Sequence, residues 1–244
     1  MKPKILFFDI ETSPVLAWIW RTGPKQYISH DQVKKGMKSD IICICWKWNE
    51  EKEIHSLDWG IKKQNSSTMI RNFAKELEKA DIAVAHNGKR FDVRHINTQR
   101  LMHSQAPIAW PTIEDSLSQF RKYFYLPSYK LDYLAKTLAN GGKDKMIFQD
   151  WIDIVEGKKV KSLDKMVKYC KKDVLLLEKV FNRAKAFFQP KVNASLIAGT
   201  GRYACPRCGS VKVAFYGYRR TLARAYHRIR CNSCGSVYVG PSVR

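Results

Sequence analysis

Four apolar residues, Ile5 to Phe8, run without interruption into Asp9, Ile10 and Glu11. An apolar run that ends in charge this way reads as a buried strand. Successive side chains of a strand point to opposite faces, so Asp9 and Glu11 project together from one side of the sheet. Two carboxylates held this close repel each other and are costly to desolvate. A cation between them removes the difficulty, and Mg²⁺ or Mn²⁺ takes hard oxygen ligands of this kind. The pair also fits a strand that has simply reached solvent, so the rest of the chain must decide.

Residues 40–48, "DIICICWKW", alternate as a second strand. The shorter "KEIHSLDW" at 52–59 follows across a charged turn, which predicts a hairpin. The period then changes: Ile70, Phe73, Ala74 and Leu77 recur at helical spacing, with Ser66 or Ser67 available as the cap. "IAVAHN" at 82–87 is a short apolar strand, and "FDVRHINTQRLMH" after it reads as a helix. From 160 to about 187, Leu163, Met166, Val167, Cys170, Val174, Leu177 and Phe181 line one broad helical face. The expected fold class is α/β, a mixed sheet flanked by helices. Pro190 and two glycines in "QPKVNASLIAGTG" predict a linker at 189–200. Residues 201–244 hold nine Lys or Arg and no acidic residue. The expected division is therefore 1–188, a linker at 189–200, and a small basic unit at 201–244.

The chain carries 44 Lys and Arg against 22 Asp and Glu, a net charge of +22. That excess favours a polyanionic partner, nucleic acid first. A membrane partner is disfavoured: no apolar run approaches the ~20 residues of a span, and no basic amphipathic helix stands out. The first apolar run breaks at Asp9, too early for a signal peptide. The odd count of seven cysteines then fits thiols in a reducing, cytoplasmic compartment.

Two further stretches carry carboxylates. "AHNGKRFD" places Asp92 just after a strand-to-helix turn, where a helix cap is its ordinary role. "YCKKD" places Tyr169 and Asp173 four apart on one helical face, against the core. Alone, Asp173 could pair with Lys168 or Lys179, and Tyr169 could be core packing. "FDIET", "N-x-x-x-F-D" from Asn87 to Asp92, and "Y-C-x-x-D" from Tyr169 to Asp173 nevertheless occur together and in order. In that order they resemble the three motifs of the DEDD superfamily of 3′-5′ exonucleases, in its tyrosine variant. The segment "SYKLDYLAKTL" at 128–138 is similar to the stretch between motifs two and three of proofreading domains in family-B DNA polymerases and of their stand-alone relatives.

The resemblance, over roughly residues 4–187, implies an RNase H-like fold and two Mg²⁺ or Mn²⁺ ions. Asp9, Glu11, Asp92 and Asp173 would hold the ions, and Tyr169 would orient or help deprotonate the attacking water. Asn87 either contacts the substrate end or braces its turn. Lys89, Arg90 and Arg94 touch phosphates or form a solvated face. His86 and His95 are expected to be structural, because the histidine variant places its histidine where Tyr169 stands. Asp115 either supports the site from behind its ligands or caps a helix, and the cap is the expected role.

"CPRCG" and "CNSCG" are two knuckles with 22 residues between them. Cys205, Cys208, Cys231 and Cys234 match a closed tetrahedral Zn²⁺ site, in preference to redox or disulfide use. The tail resembles a zinc ribbon. A glycine after each pair suits a turn that aims backbone N–H groups at sulfur. Arg219, Arg220, Arg224, Arg228 and Arg230 interleave with Phe215, Tyr216, Tyr218 and Tyr226. Arginines bind phosphates and rings stack on bases, although some of these rings must form the ribbon's own core. Proofreading domains do not generally end in such a ribbon.

The expected activity is thus metal-dependent 3′-5′ hydrolysis of phosphodiester bonds. Single-stranded DNA 3′ ends are the favoured substrate and RNA the second. Any proofreading needs a separate polymerase or replication protein. The alternatives are an inactive nucleic-acid-binding adaptor on a nuclease scaffold, or a structure-specific endonuclease.

Overall fold

The computed structural model describes residues 2–36, 38–49, 51–142 and 144–243. Strand β1 (Ile5–Thr12) forms the centre of a five-stranded sheet with β2 (Ile41–Trp48), β3 (His55–Asp58), β4 (Ile82–Ala85) and β5 (Thr112–Asp115). The strand order is β3-β2-β1-β4-β5. β1 pairs antiparallel with β2 and parallel with β4, so the sheet is mixed as expected.

Alternation along β1 sorts its side chains into two cores. Leu6, Phe8 and Ile10 join α1 (Ser66–Leu77) and α2 (Asp92–Met102) on one face. Phe7 joins Cys43, Cys45 and the long helix α6 (Val160–Ala184) on the other. Asp9 and Glu11 keep Phe7's phase, so they point to the α6 side. α3 (Ser116–Tyr123), α4 (Leu131–Leu138) and α5 (Phe148–Val155) complete that side. Asn65, rather than Ser66 or Ser67, caps α1: its side chain accepts from the Ser67 N–H.

α6 buries Leu163, Met166, Cys170, Val174, Leu177 and Phe181 of the expected stripe, with Asp173 among them and Val167 half-buried. Lys47 of β2 reaches Glu178 of α6 at 2.6 Å, and this largely buried pair ties sheet to helix.

The stretch expected as a linker is partly helical. After a 3₁₀ turn at Lys185–Phe187, Phe188 packs against Phe120, Phe124 and Phe181. α7 (Ala194–Ala198) follows, capped by the Asn193 side chain. β6 (Val213–Arg220), β7 (Ala225–Cys231) and β8 (Val237–Val243) then form a separate antiparallel sheet in the order β6-β7-β8. No helix among the described residues is long and apolar enough to cross a membrane.

Between β1 and β2 the chain leaves the sheet as a two-limbed arm, described over residues 13–36 and 38–40. An isolated bridge between Ala17 and Val33 joins the limbs. The Trp18 N–H donates to the Gln32 carbonyl at 2.8 Å, and the Lys34 N–H to the Leu16 carbonyl at 2.8 Å. At the base, the Ser13 N–H donates to the Asp40 carbonyl.

Candidate active site

The α6 side of β1 meets the middle of α6 at its charged end. Carboxylate oxygens of Asp9, Glu11 and Asp173 all lie within 4.8 Å of one another. Asp9 and Glu11 are half-buried and Asp173 is buried. Ligand oxygens around one Mg²⁺, at about 2.0–2.1 Å in an octahedron, are about 2.9–4.2 Å apart. Three oxygens this near each other need only small shifts to share such an ion, so the donor set fits a hard divalent cation. Tyr169, half-buried, stands one helical turn before Asp173 on the same face.

Asp92 arrives from the opposite layer. α2 packs with the other core, and Asp92 is its first residue. β4 pairs with β1 only as far as Phe7, which leaves the Ile10 N–H on that edge for a side chain. Asp92 takes it, and its Oδ1 is buried with no hydrogen-bond partner among the described residues. Burial pushes this carboxyl up to about 7, partly offset by backbone N–H donors and reinforced by Asp115. Asp92 therefore sits beside the strand segment that carries Asp9 and Glu11, but outside the group of three.

The turn before α2 is built by Asp115. Its carboxylate accepts from the N–H groups of Asn87 and Lys89 and caps α3 through Ser118. Asn87 has φ +69°, a left-handed conformation that asparagine tolerates, and its carbonyl accepts from Arg90 and Phe91. Its backbone braces the turn. A Cβ on Gly88 would lie 2.4 Å from Ala85 Cβ, so only glycine lets the turn approach β4 this closely. His86 Nε2 donates to the Tyr129 carbonyl at 2.9 Å, and Nδ1 is 2.8 Å from Ser116 Oγ. His95 packs on Phe91, and burial lowers its pKa. Lys89, Arg90 and Arg94 are exposed beside the turn.

A family model for the RNase H superfamily matches residues 30–185. The chain belongs to the RNase H superfamily. The structure is similar to that of the family B DNA polymerase from the hyperthermophilic archaeon Pyrobaculum calidifontis, with a TM-score of 0.58 and 11% identity. The likeness covers 82% of this chain and 26% of that polymerase, so it concerns about a quarter of the larger protein. Among curated proteins nothing matches. The RNase H family match ends before the four C-terminal cysteines.

Those cysteines converge in this RNase H superfamily member. Cys205 and Cys234 sulfurs are 3.6 Å apart, as are Cys208 and Cys231. Two sulfurs about 2.3 Å from one tetrahedral Zn²⁺ lie about 3.8 Å apart, so the set fits zinc. Gly209 and Gly235 have φ +72° and +75°, and each donates its N–H to the carbonyl of the first cysteine of its pair. The turn aims neighbouring N–H groups at sulfur: Arg207 and Cys208 onto Cys205, and Ser210 onto Cys208. Arg219 and Arg220 are exposed on β6, with the Arg220 guanidinium 5.5 Å over the Tyr218 ring.

One grouping escaped the sequence. The sulfurs of Cys43, Cys45 and Cys170 lie within 4.8 Å of one another, fully buried. Cys43 pairs with Glu11 and Cys45 with Asp9 across β1 and β2. The Cys170 thiol is 3.5 Å from the Asp9 carbonyl and 3.9 Å from its Oδ2. The three thiols form the wall behind the carboxylates. The signal was the i, i+2 spacing on β2, with Cys170 next to Tyr169.

Proposed function

We propose that this chain is a metal-dependent 3′-5′ exonuclease with a zinc-ribbon tail that binds nucleic acid. Its RNase H-like nuclease fold supports nuclease activity in general. The observation that carries the finer reading is the convergence of Asp9, Glu11 and Asp173 oxygens from β1 and α6. Asp9, Glu11, Asp92 and Asp173 would hold two Mg²⁺ or Mn²⁺ ions. Such ions activate water and neutralise the charge that develops on the leaving oxygen. In this reading Tyr169 orients the attacking water, Asp115 holds the turn that presents Asp92, and the thiol wall keeps water from behind Asp9.

The functional division is 1–188 for catalysis and 201–244 for the ribbon, with 189–200 joining them. The ribbon's Cys205, Cys208, Cys231 and Cys234 hold Zn²⁺ and fix the arginine-bearing strands. The favoured substrate is a single-stranded DNA 3′ end, then RNA, with Lys89, Arg90, Arg219 and Arg220 on phosphates. A separate polymerase or replication protein is the expected partner, in a reducing cytoplasmic compartment.

The test is incubation with 5′-labelled single- and double-stranded DNA and RNA, in Mg²⁺, Mn²⁺ or EDTA. A ladder shortening from the 3′ end in metal, absent in EDTA and in Asp9→Asn and Asp173→Asn, is the expected result. Cleavage that begins at internal sites would make the protein an endonuclease. Binding without cleavage in any metal would make it an adaptor.

A further inference from the structure

The arm at residues 13–40 plays no part in the site described above, yet it springs directly from it. The chain leaves β1 two residues after Glu11 and returns at Ile41, the partner of Thr12. Ser13 fastens the base, its side chain accepting from the Asp40 N–H at 2.9 Å. Further out, Gln32 cross-links the limbs: its Oε1 accepts from the Ser29 N–H and its Nε2 donates to the Trp18 carbonyl. The arm is therefore a defined hairpin of backbone.

Its side chains are the reverse of what a solvated loop carries. Trp20 is 99% exposed, Tyr27 88% and Trp18 77%. Large rings in water make no packing contribution to the fold. Arg21 and Lys25 lie among them, and from Ser13 to Ser29 there is no acidic residue. Residues 19–27 curl around a concavity of about 510 Å³, within the ~300–1,000 Å³ range of ligand pockets. Exposed rings interleaved with cations, on an arm whose base follows Glu11 directly, match what an unpaired nucleic-acid strand requires. Each base has a face on which a ring can stack, and each phosphate takes a cation.

We propose that this arm is a base-stacking platform that holds the unpaired strand leading into the Asp9, Glu11 and Asp173 site. The proposal rests on the nuclease reading for where the strand goes next. A second copy of the chain is the competing occupant. The net charge of +22 disfavours it, because two such chains repel, whereas a polyanion is drawn in.

The experiment compares the full chain with Trp18→Ala/Trp20→Ala/Tyr27→Ala and with Trp18→Phe/Trp20→Phe/Tyr27→Phe. All three positions are exposed, so both variants should melt like the wild type. Binding of fluorescein-labelled oligothymidylate and oligouridylate of about 12 nucleotides is read by anisotropy in EDTA, where no cleavage occurs. The alanine variant should bind about ten-fold or more weakly, as loss of one or two stacked bases requires. The phenylalanine variant should keep most of the affinity. The slope of affinity against salt should not change, since no charge is removed. Equal affinity of the alanine variant and wild type would overturn the proposal. So would sedimentation showing a wild-type dimer that the alanine variant abolishes while strand affinity stays constant. Because binding is read without metal, the two readings separate. Weakened binding with no cleavage in Mg²⁺ or Mn²⁺ supports the platform and removes the nuclease. Unchanged binding with cleavage does the opposite.

Discussion

Asp92 is the residue whose chemistry depends most on its surroundings. Its folded-state pKa of about 7 stands above the unfolded value of 3.8 because burial penalises the charge. The folded protein therefore prefers the protonated form. Its contribution is favourable below about pH 4 and is lost as pH rises through 7, a swing of up to about 4 kcal/mol. Asp92→Asn should flatten the melting temperature of the EDTA-treated protein between pH 4.5 and 8 and raise it at the alkaline end. Parallel pH profiles for the variant and wild type would mean that Asp92 titrates normally. Tyr169→Phe should lower single-turnover cleavage strongly while leaving divalent-ion affinity in place, because the phenol is expected to position water and not to coordinate. Full activity would reduce Tyr169 to packing. Asp9, Glu11 and Asp173 were legible because alternation and helical spacing decide which way each points, and the order of the three motifs joined them into one group. The asymmetry of Asp92 was not, because it depends on β4 ending at the level of Phe7, which no local pattern records.

At the scale of elements, the junction between β2 and α6 determines whether the site holds together. Lys47 and Glu178 meet at 2.6 Å with side chains 8% and 15% exposed. Removing one partner strands a charge in the interior, so Glu178→Ala should cost about 3–5 kcal/mol in urea unfolding. Lys47→Met with Glu178→Leu should recover most of that loss. If the double variant is as unstable as the single one, the pair is doing more than neutralising itself. β1 and α6 were readable from their apolar periodicity. β5 was not: "TIED" is four residues long, half of them acidic, and its two carboxylates turn inward onto Gln119 and the turn before α2. β8 was missed because Gly240 and Pro241 interrupt it, a pattern tolerated only on an edge strand. The helix inside the expected linker hides behind Pro190 and Gly199, the residues that bracket it.

The whole molecule couples two sheets through a short, packed connection. Phe188 is buried with the α6 core, and Arg207 from the first knuckle donates to its carbonyl at 2.5 Å. The Ala194 N–H likewise donates to the Pro206 carbonyl. A separation of the two parts should therefore cut after Pro190 and keep Phe188. The shortened chain should stay folded, retain metal-dependent cleavage of short strands, and bind long ones with a shallower salt dependence. It lacks Lys191 and the nine Lys and Arg of the tail, and each phosphate contact adds about −0.7 to the slope on single strands. Chelating the metal proposed for Cys205, Cys208, Cys231 and Cys234 in the intact chain should give the same slope by disordering β6–β8. Identical slopes in all three would turn the ribbon into a docking site for protein. The thiol of Cys170 touches Asp9 across 161 residues of sequence, and that separation has a consequence during synthesis. When β2 has left the ribosome, α6 does not yet exist, and at about 5–20 residues per second it follows only after roughly 7–30 s. Until then Asp9 and Glu11 have no Asp173, and the inner face of the sheet has no cover. The three carboxylates thus come together only once α6 has been made, and a translation product that stops short of α6 holds Asp9 and Glu11 without Asp173.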